Sequence, residues 1–117
     1  MALTLDGRPM SRRTDAAVLR NGRLFVDAVD WTRAFNGLLI FEKNAVRLTV
    51  RGHTSAYHVG SRTAFVDRQS WKLRAPPFER SGDIYIPIDT AIAIDGGLKL
   101  VWINRRHADL RVGVFQK

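Results

Sequence analysis

Residues 76–102 read PPFERSGDIYIPIDTAIAIDGGLKLVW, and the order of their prolines and glycines decides the fold. Ile84-Tyr85-Ile86 is a short strand-like run, and Pro87 follows it. Proline at the first helical position loses no useful N–H and has its φ already set, so Pro87 is expected to open a helix. Ile88, Ala91 and Ile92 then share one face of two turns. Gly96 and Gly97 stop that helix, because glycine adopts the left-handed conformation that closes it. Beyond them, LKLVW (98–102) and LRVGVF (110–115) alternate about the loop INRRHAD (103–109). Leu98, Leu100 and Trp102, and then Leu110, Val112 and Val114, give the pattern of two half-buried hairpin strands.

The same order occurs earlier in the chain. AAVLRNGRLFVDAVDWTRAFNGLL (16–39) superposes without a gap on PPFERSGDIYIPIDTAIAIDGGLK (76–99). Asn21-Gly22 falls on Ser81-Gly82, Leu24-Phe25-Val26 on Ile84-Tyr85-Ile86, and Asn36-Gly37 on Gly96-Gly97. Asp27 stands where Pro87 does, and its carboxylate is expected to cap a helix carrying Ala28, Trp31 and Phe35. LLIF (38–41) and VRLTV (46–50) then flank a shorter turn at 42–45. Upstream, LTLDGRPM (3–10) resembles AFVDRQSW (64–71), each a strand with a turn at Asp6 or Asp67. Strands near 55–60 and 63–67, joined at Gly60-Ser61, are expected between the copies. One domain over residues 1–117, built from two intertwined repeats at about 3–52 and 64–114, follows from this order.

Composition excludes several classes. Of 117 residues, 45% are hydrophobic and 26% charged, a globular balance. Every apolar stretch is broken by charge well short of the roughly 20 residues a membrane span needs. No signal peptide is visible: Asp6 and Arg8 interrupt the start before an apolar region develops. That leaves two readings, a cytoplasmic chain or an extracytoplasmic one whose signal has been removed. The lack of cysteine excludes disulfides, thiolate nucleophiles and Cys-based zinc sites. The formal net charge is +8, and fifteen of the nineteen basic residues are arginine. Such a balance favours contact with an anionic surface such as nucleic acid, acidic wall polymer or lipid headgroups.

No catalytic or metal constellation stands out. His53 and His58, five apart on a strand, should point to opposite faces, and His107 falls in a turn. The eleven acids are scattered over turns and helix ends, where capping and turn chemistry explain them. The arginines carry more. In VRLTVRG, Val46, Leu48 and Val50 should face the core, leaving Arg47, Thr49 and Arg51 open. Lys72 and Arg74 flank Leu73, and Arg111 sits between Leu110 and Val112. If those strands are neighbours, the outer sheet face is a basic field, with Tyr57, Trp71 or Phe115 beside it as stacking platforms for nucleic acid or sugar rings. The plainer alternative is an ordinary solvated face with the aromatics in the core. Arg105-Arg106 beside His107, and Arg12-Arg13, are loop clusters suited to bidentate grip of phosphate or carboxylate. Trp31, Phe35, Phe41 and Trp102 have core spacing, which makes Trp102 one of the costliest residues to truncate.

Taken together, Asp67, Pro76-Pro77, Ser81-Gly82, Ile86-Pro87-Ile88, Gly96-Gly97 and Val101-Trp102 resemble the motifs of the copper amine oxidase N-terminal-like domain. The first copy adds Asp6-Gly7, Asn21-Gly22-Arg23 and Asn36-Gly37, with Ala16-Ala17 and Asp27 in place of the prolines. That family is a stalk-like module of bacterial surface proteins. The resemblance implies an α+β fold in which an antiparallel β-meander packs on two short α-helices. It implies no amine oxidation, because the topaquinone and copper ligands of those enzymes belong to a separate catalytic domain. The expected function is a non-catalytic binding or stalk module of an envelope or secreted protein, without cofactor, meeting an anionic cell-wall polymer or a protein partner. Its candidate contacts are Arg47, Arg51, Lys72, Arg74, Arg105, Arg106 and Arg111. A nucleic-acid-binding domain using the same arginines is the alternative, and a small enzyme with a cleft between the repeats is a third reading. The apolar strand 110–115, taken as an edge, leaves homodimerisation open.

Overall fold

The computed structural model describes residues 1–11 and 16–113. The expectations for Arg12-Arg13, Val114 and Phe115 lie outside the described residues. Over the described residues the chain is α+β, mostly sheet with two helices. In chain order the first seven elements are β1 (Ala2–Leu5), β2 (Arg8–Pro9), β3 (Ala17–Arg20), β4 (Arg23–Asp27), α1 (Ala28–Ala34), β5 (Leu38–Glu42) and β6 (Ala45–Val50). There follow β7 (His53–His58), β8 (Thr63–Val66), β9 (Gln69–Lys72), β10 (Phe78–Arg80), β11 (Asp83–Pro87), α2 (Ile88–Asp95), β12 (Leu98–Asn104) and β13 (His107–Val112).

These strands form three sheets, ordered β12-β13-β1-β2, β10-β11-β4-β3 and β5-β6-β7-β8-β9. The third alone is a meander in which every strand pairs with its chain neighbour. The sheets are antiparallel except where β1 lies parallel to β13, Leu3 opposite Ala108 and Leu5 opposite Leu110. In the middle sheet β4 and β11 cross with Val26 opposite Ile86, both fully buried. α1 packs on β4, β5, β6 and β11, and α2 on β4, β11 and β12. Trp31, Val46, Leu48, Tyr57, Ala91 and Leu110 belong to the shared core.

Local chemistry explains the helix ends. Asp27 Oδ1 accepts the N–H groups of Val29 and Asp30 at 2.8 and 3.1 Å, the cap expected from its sequence position. Pro87 sits one residue earlier than expected: it is the N-cap of α2 and the last residue of β11, since a φ of −66° with a ψ of 126° still suits a strand. Gly96, at φ 75°, closes α2 in the left-handed conformation. Asp95 lies at the helix C-terminus, the end whose dipole disfavours an acid, and is compensated there by Arg51 and by the N–H of Gly97.

Several expectations are corrected. The second hairpin turns at Arg105-Arg106 alone, and His107 lies in β13 rather than in a turn, its Nε2 2.9 Å from the Thr4 hydroxyl. Pairing with β1 extends the strand through that segment, and the Arg106 carbonyl accepts the Ala2 N–H at 2.8 Å. The same pairing makes β13 an interior strand, so 110–112 is not an edge. Gly60-Ser61 forms part of a longer loop, because β7 ends at His58 and β8 begins at Thr63. Phe41 and Trp102 are 53% and 47% exposed. Both stand on strands that end their sheets, β5 and β12, where no further strand among the described residues pairs with the outer flank. Trp31, at 3% exposure, is in the core as expected, and Phe35 packs against it.

Candidate functional site

The alternation read in VRLTVRG holds along β6: Val46 and Leu48 are buried and Arg47 is exposed. On that outer face Ile40, Arg47, Ala56, Phe65 and Ser70 stand opposite one another in register across five strands. The small Ala56 leaves a hollow of about 560 Å³ lined by Glu42, Arg47, His58, Phe65, Asp67 and Arg68. Its charge is mixed. Arg47 pairs with Glu42 at 3.7 Å. His53 and the Thr54 N–H hold the Asp67 carboxyl below its ordinary range by hydrogen bonding, so it stays anionic. Phe65, half exposed, stands on this face, beside which the sequence offered Tyr57, Trp71 or Phe115 as stacking platforms. Tyr57 is instead fully buried, because its parity along β7 matches Val46 and the core.

The expected basic residues do not form one field. Arg51 is in the turn after β6, at φ 50°, rather than on the strand face. Its guanidinium pairs with Asp95 at 2.5 Å and lies 5.9 Å from the Phe35 ring centroid, tying the hairpin to the end of α2. Arg111 pairs with Asp109 at 3.1 Å, in a different sheet from Arg47. Arg105 and Arg106 form the exposed tip of the β12–β13 hairpin. Lys72 and Arg74 are brought together, with Trp71, Asp89, Thr90 and Ala93 around one shallow depression.

Arg74 also belongs to a second hollow that the strand-face argument missed. This groove, about 510 Å³, is lined by Arg20, Arg23, Arg62 and Arg74 together with Phe78 and the Pro76-Pro77 segment. It lies where the β3–β4 turn meets the loop after β7 and the stretch before β10. Its arginines sit beside turn signals, Arg20 and Arg23 on either side of Asn21-Gly22 and Arg74 two residues before Pro76. That shared placement next to turns was the available signal, but alternation along strands cannot find residues gathered from two strand ends and two separate loops.

The buried polar groups have structural roles. Asp109 Oδ1 accepts the Thr4 hydroxyl at 2.6 Å and the Gly7 N–H at 2.9 Å, which fastens β1 and its turn to β13. Those bonds, and then Arg111, hold its carboxyl below the ordinary range. Burial pushes the Tyr57 phenol up to about 12, against a smaller opposing effect of its hydrogen bond with Ser55. The neutral phenol is therefore favoured in the folded chain: stability is intact below pH 10 and falls as pH rises from 10 to 12. The loss is expected to reach about 2–3 kcal/mol. Tyr57→Phe should abolish that decline in denaturant titrations at pH 9 to 12, and an unchanged decline would place its origin elsewhere. Among the described residues no group of three or more His, Asp or Glu side chains is arranged to hold a metal ion. His53 lines a hollow against Trp31 and Tyr57, and His58 lines the outer one, on opposite faces as their spacing requires.

No helix is long and apolar enough to cross a membrane among the described residues. No curated protein and no solved structure matches the chain. The model of one family, described as the copper amine oxidase N-terminal domain, matches residues 4–106. In copper amine oxidases this domain is a non-catalytic module. The match runs from within β1 to the turn before β13 and takes in β2 to β12 and both helices, and the chain belongs to the copper amine oxidase N-terminal domain family.

Proposed function

We propose that this domain is a non-catalytic stalk and binding module of an envelope or secreted protein, contacting an anionic surface polymer through its arginines. The observation that carries the reading is family membership across residues 4–106, in a domain type that is non-catalytic. The charge adds the ligand class: +8 overall, with exposed cations on several turns and edges rather than in one enclosed cleft. A polymer meets such a dispersed surface at many points. Lys72, Arg74, Arg105 and Arg106 are exposed and available to it, while Arg47, Arg51 and Arg111 are engaged with Glu42, Asp95 and Asp109.

The module is proposed to be two intertwined copies of one unit. In support, Val26 lies opposite its own counterpart Ile86, and Phe25 and Asp27 on either side of it each lie opposite the other's counterpart, Pro87 and Tyr85, as a two-fold relation requires. Asp6 and Asp67, at φ 49° and 48°, both accept a backbone N–H from an adjacent strand, Val112 and Thr54 respectively. Two of the sheets join the late hairpin of one copy to the early hairpin of the other, β12-β13 directly with β1-β2 and β5-β6 with β8-β9 through the intervening β7.

Co-sedimentation with purified bacterial cell walls tests the function. The chain is expected to pellet with walls at low salt and to be released steeply as salt rises, because phosphate or carboxylate contacts are ionic. Failure to pellet at any salt would contradict the reading.

A further inference from the structure

Building on the polymer-contact reading above, we propose that the arginine groove binds the phosphodiester backbone of a polyol-phosphate polymer. Four guanidiniums, those of Arg20, Arg23, Arg62 and Arg74, line it, and no carboxylate is among the described lining residues. That is unlike the mixed-sign hollow on the outer sheet face, where Glu42 and Asp67 offset Arg47 and Arg68. Guanidinium groups match tetrahedral oxyanions bidentately, which is the recognition this set of side chains suits best.

The groove is held in shape before any ligand arrives. The Gly60 N–H donates to the Pro77 carbonyl at 2.9 Å, fixing one wall to the other. Arg62 Nη1 donates to the Arg74 carbonyl at 3.2 Å, and the Arg20 guanidinium lies 4.2 Å from the Phe78 ring centroid. Two of the four cations are therefore already oriented, which lowers the entropy lost on binding.

Basic hollows continue from both ends. Arg20 and Phe78 also line a depression with Arg80, and Arg74 also lines the one with Lys72. Arg80 on one flank and Lys72 on the other thus extend the set of cations beyond the four that line the groove. Glu79 and Asp89 are the carboxylates lining those flanking depressions, and Asp89 stands 3.9 Å from Arg23. A run of cations of this length fits a chain of successive phosphates better than a single anion.

Within the groove itself, apart from Trp71 in the flanking depression, the aromatic content argues for a backbone without bases. Single-stranded nucleic acid is bound by stacking its bases on free aromatic faces. Phe78, the one aromatic at the groove surface among the described lining residues, is already engaged. Tyr85 stacks on it at 5.2 Å, Phe25 meets it edge-on at 4.9 Å, and Arg20 covers it. Phe25 itself is buried. A polyol-phosphate chain asks for no such platform.

The test is the affinity of the intact chain for purified poly(glycerol phosphate), measured by calorimetry over a salt series. Arg20→Ser with Arg74→Ser should weaken binding by about tenfold or more and lower the salt slope by roughly one for each arginine. Arg62→Ser serves as a second, independent variant. Arg33→Ser, exposed on α1, should bind like the parent, and a matching thermal midpoint confirms that each variant is folded. Wild-type binding that survives all the groove substitutions would overturn the groove while leaving the wall-polymer function standing. No binding of poly(glycerol phosphate) by a parent chain that still pellets with walls would overturn the phosphodiester assignment. Failure of both would end the polymer reading itself. Tighter binding at matched salt to oligo(dT), duplex DNA or poly-L-glutamate of equal charge would also overturn the assignment.

Discussion

Trp31→Ala is expected to destabilise the folded chain by about 3–5 kcal/mol, and Trp102→Ala by less than about 1 kcal/mol. The two tryptophans look alike in the sequence, each spaced with apolar neighbours, but they occupy opposite environments. Trp31 projects from α1 into the shared core at 3% exposure and meets Phe35 edge-on with ring centroids 5.0 Å apart. Its removal opens a cavity where α1 packs on β4, β6 and β11. Trp102 is half exposed on the outermost strand of its sheet, so truncation leaves no void. Guanidinium unfolding of both variants measures the difference, and equal losses would contradict the exposed placement of Trp102.

The second large effect is steric. Gly37→Ala is expected to cost about 1–3 kcal/mol, whereas Gly97→Ala costs less, although both glycines follow a helix at corresponding positions. An added Cβ at Gly37 would run into the Thr49 carbonyl oxygen and press on methyl groups of Val50 and Thr32. Backbone cannot yield there without breaking the start of the β5–β6 ladder. At Gly97 the nearest atoms are the ends of the Arg51 and Asp95 side chains, both at 3.2 Å. Flexible side chains can shift by a few tenths of an ångström. Midpoints of denaturant unfolding for the two variants give the comparison; a larger loss at Gly97 would refute the close approach at Gly37.

Local signals were legible because their causes are local. Asp27 caps α1, Gly96 closes α2, and the parity of Val46, Arg47 and Leu48 survives intact, each decided by a handful of adjacent residues. What the sequence left hidden depends on which strands become neighbours. The parallel pairing of β1 with β13 buries Leu110 and turns an expected edge into an interior strand. Being last in their sheets exposes Phe41 and Trp102. Arg51 and Asp95, forty-four residues apart, meet only through the packing of a hairpin on α2. The same limit applies to the site. A strand-face pattern picked out Arg47 and Arg74, but the groove assembles Arg20 and Arg23 from the ends of two strands and Arg62 from a loop, whose proximity no spacing reports.

A polymer-binding module with a dedicated groove is tested most directly by mapping contacts on the intact chain. In an NMR titration of the 15N-labelled protein with poly(glycerol phosphate), amide shifts are predicted to concentrate at residues 20–23, 60–62 and 74–78. They should reverse when salt is added. Shifts confined to the outer sheet face around Arg47 and Phe65, or no shifts at saturating polymer, would contradict the account.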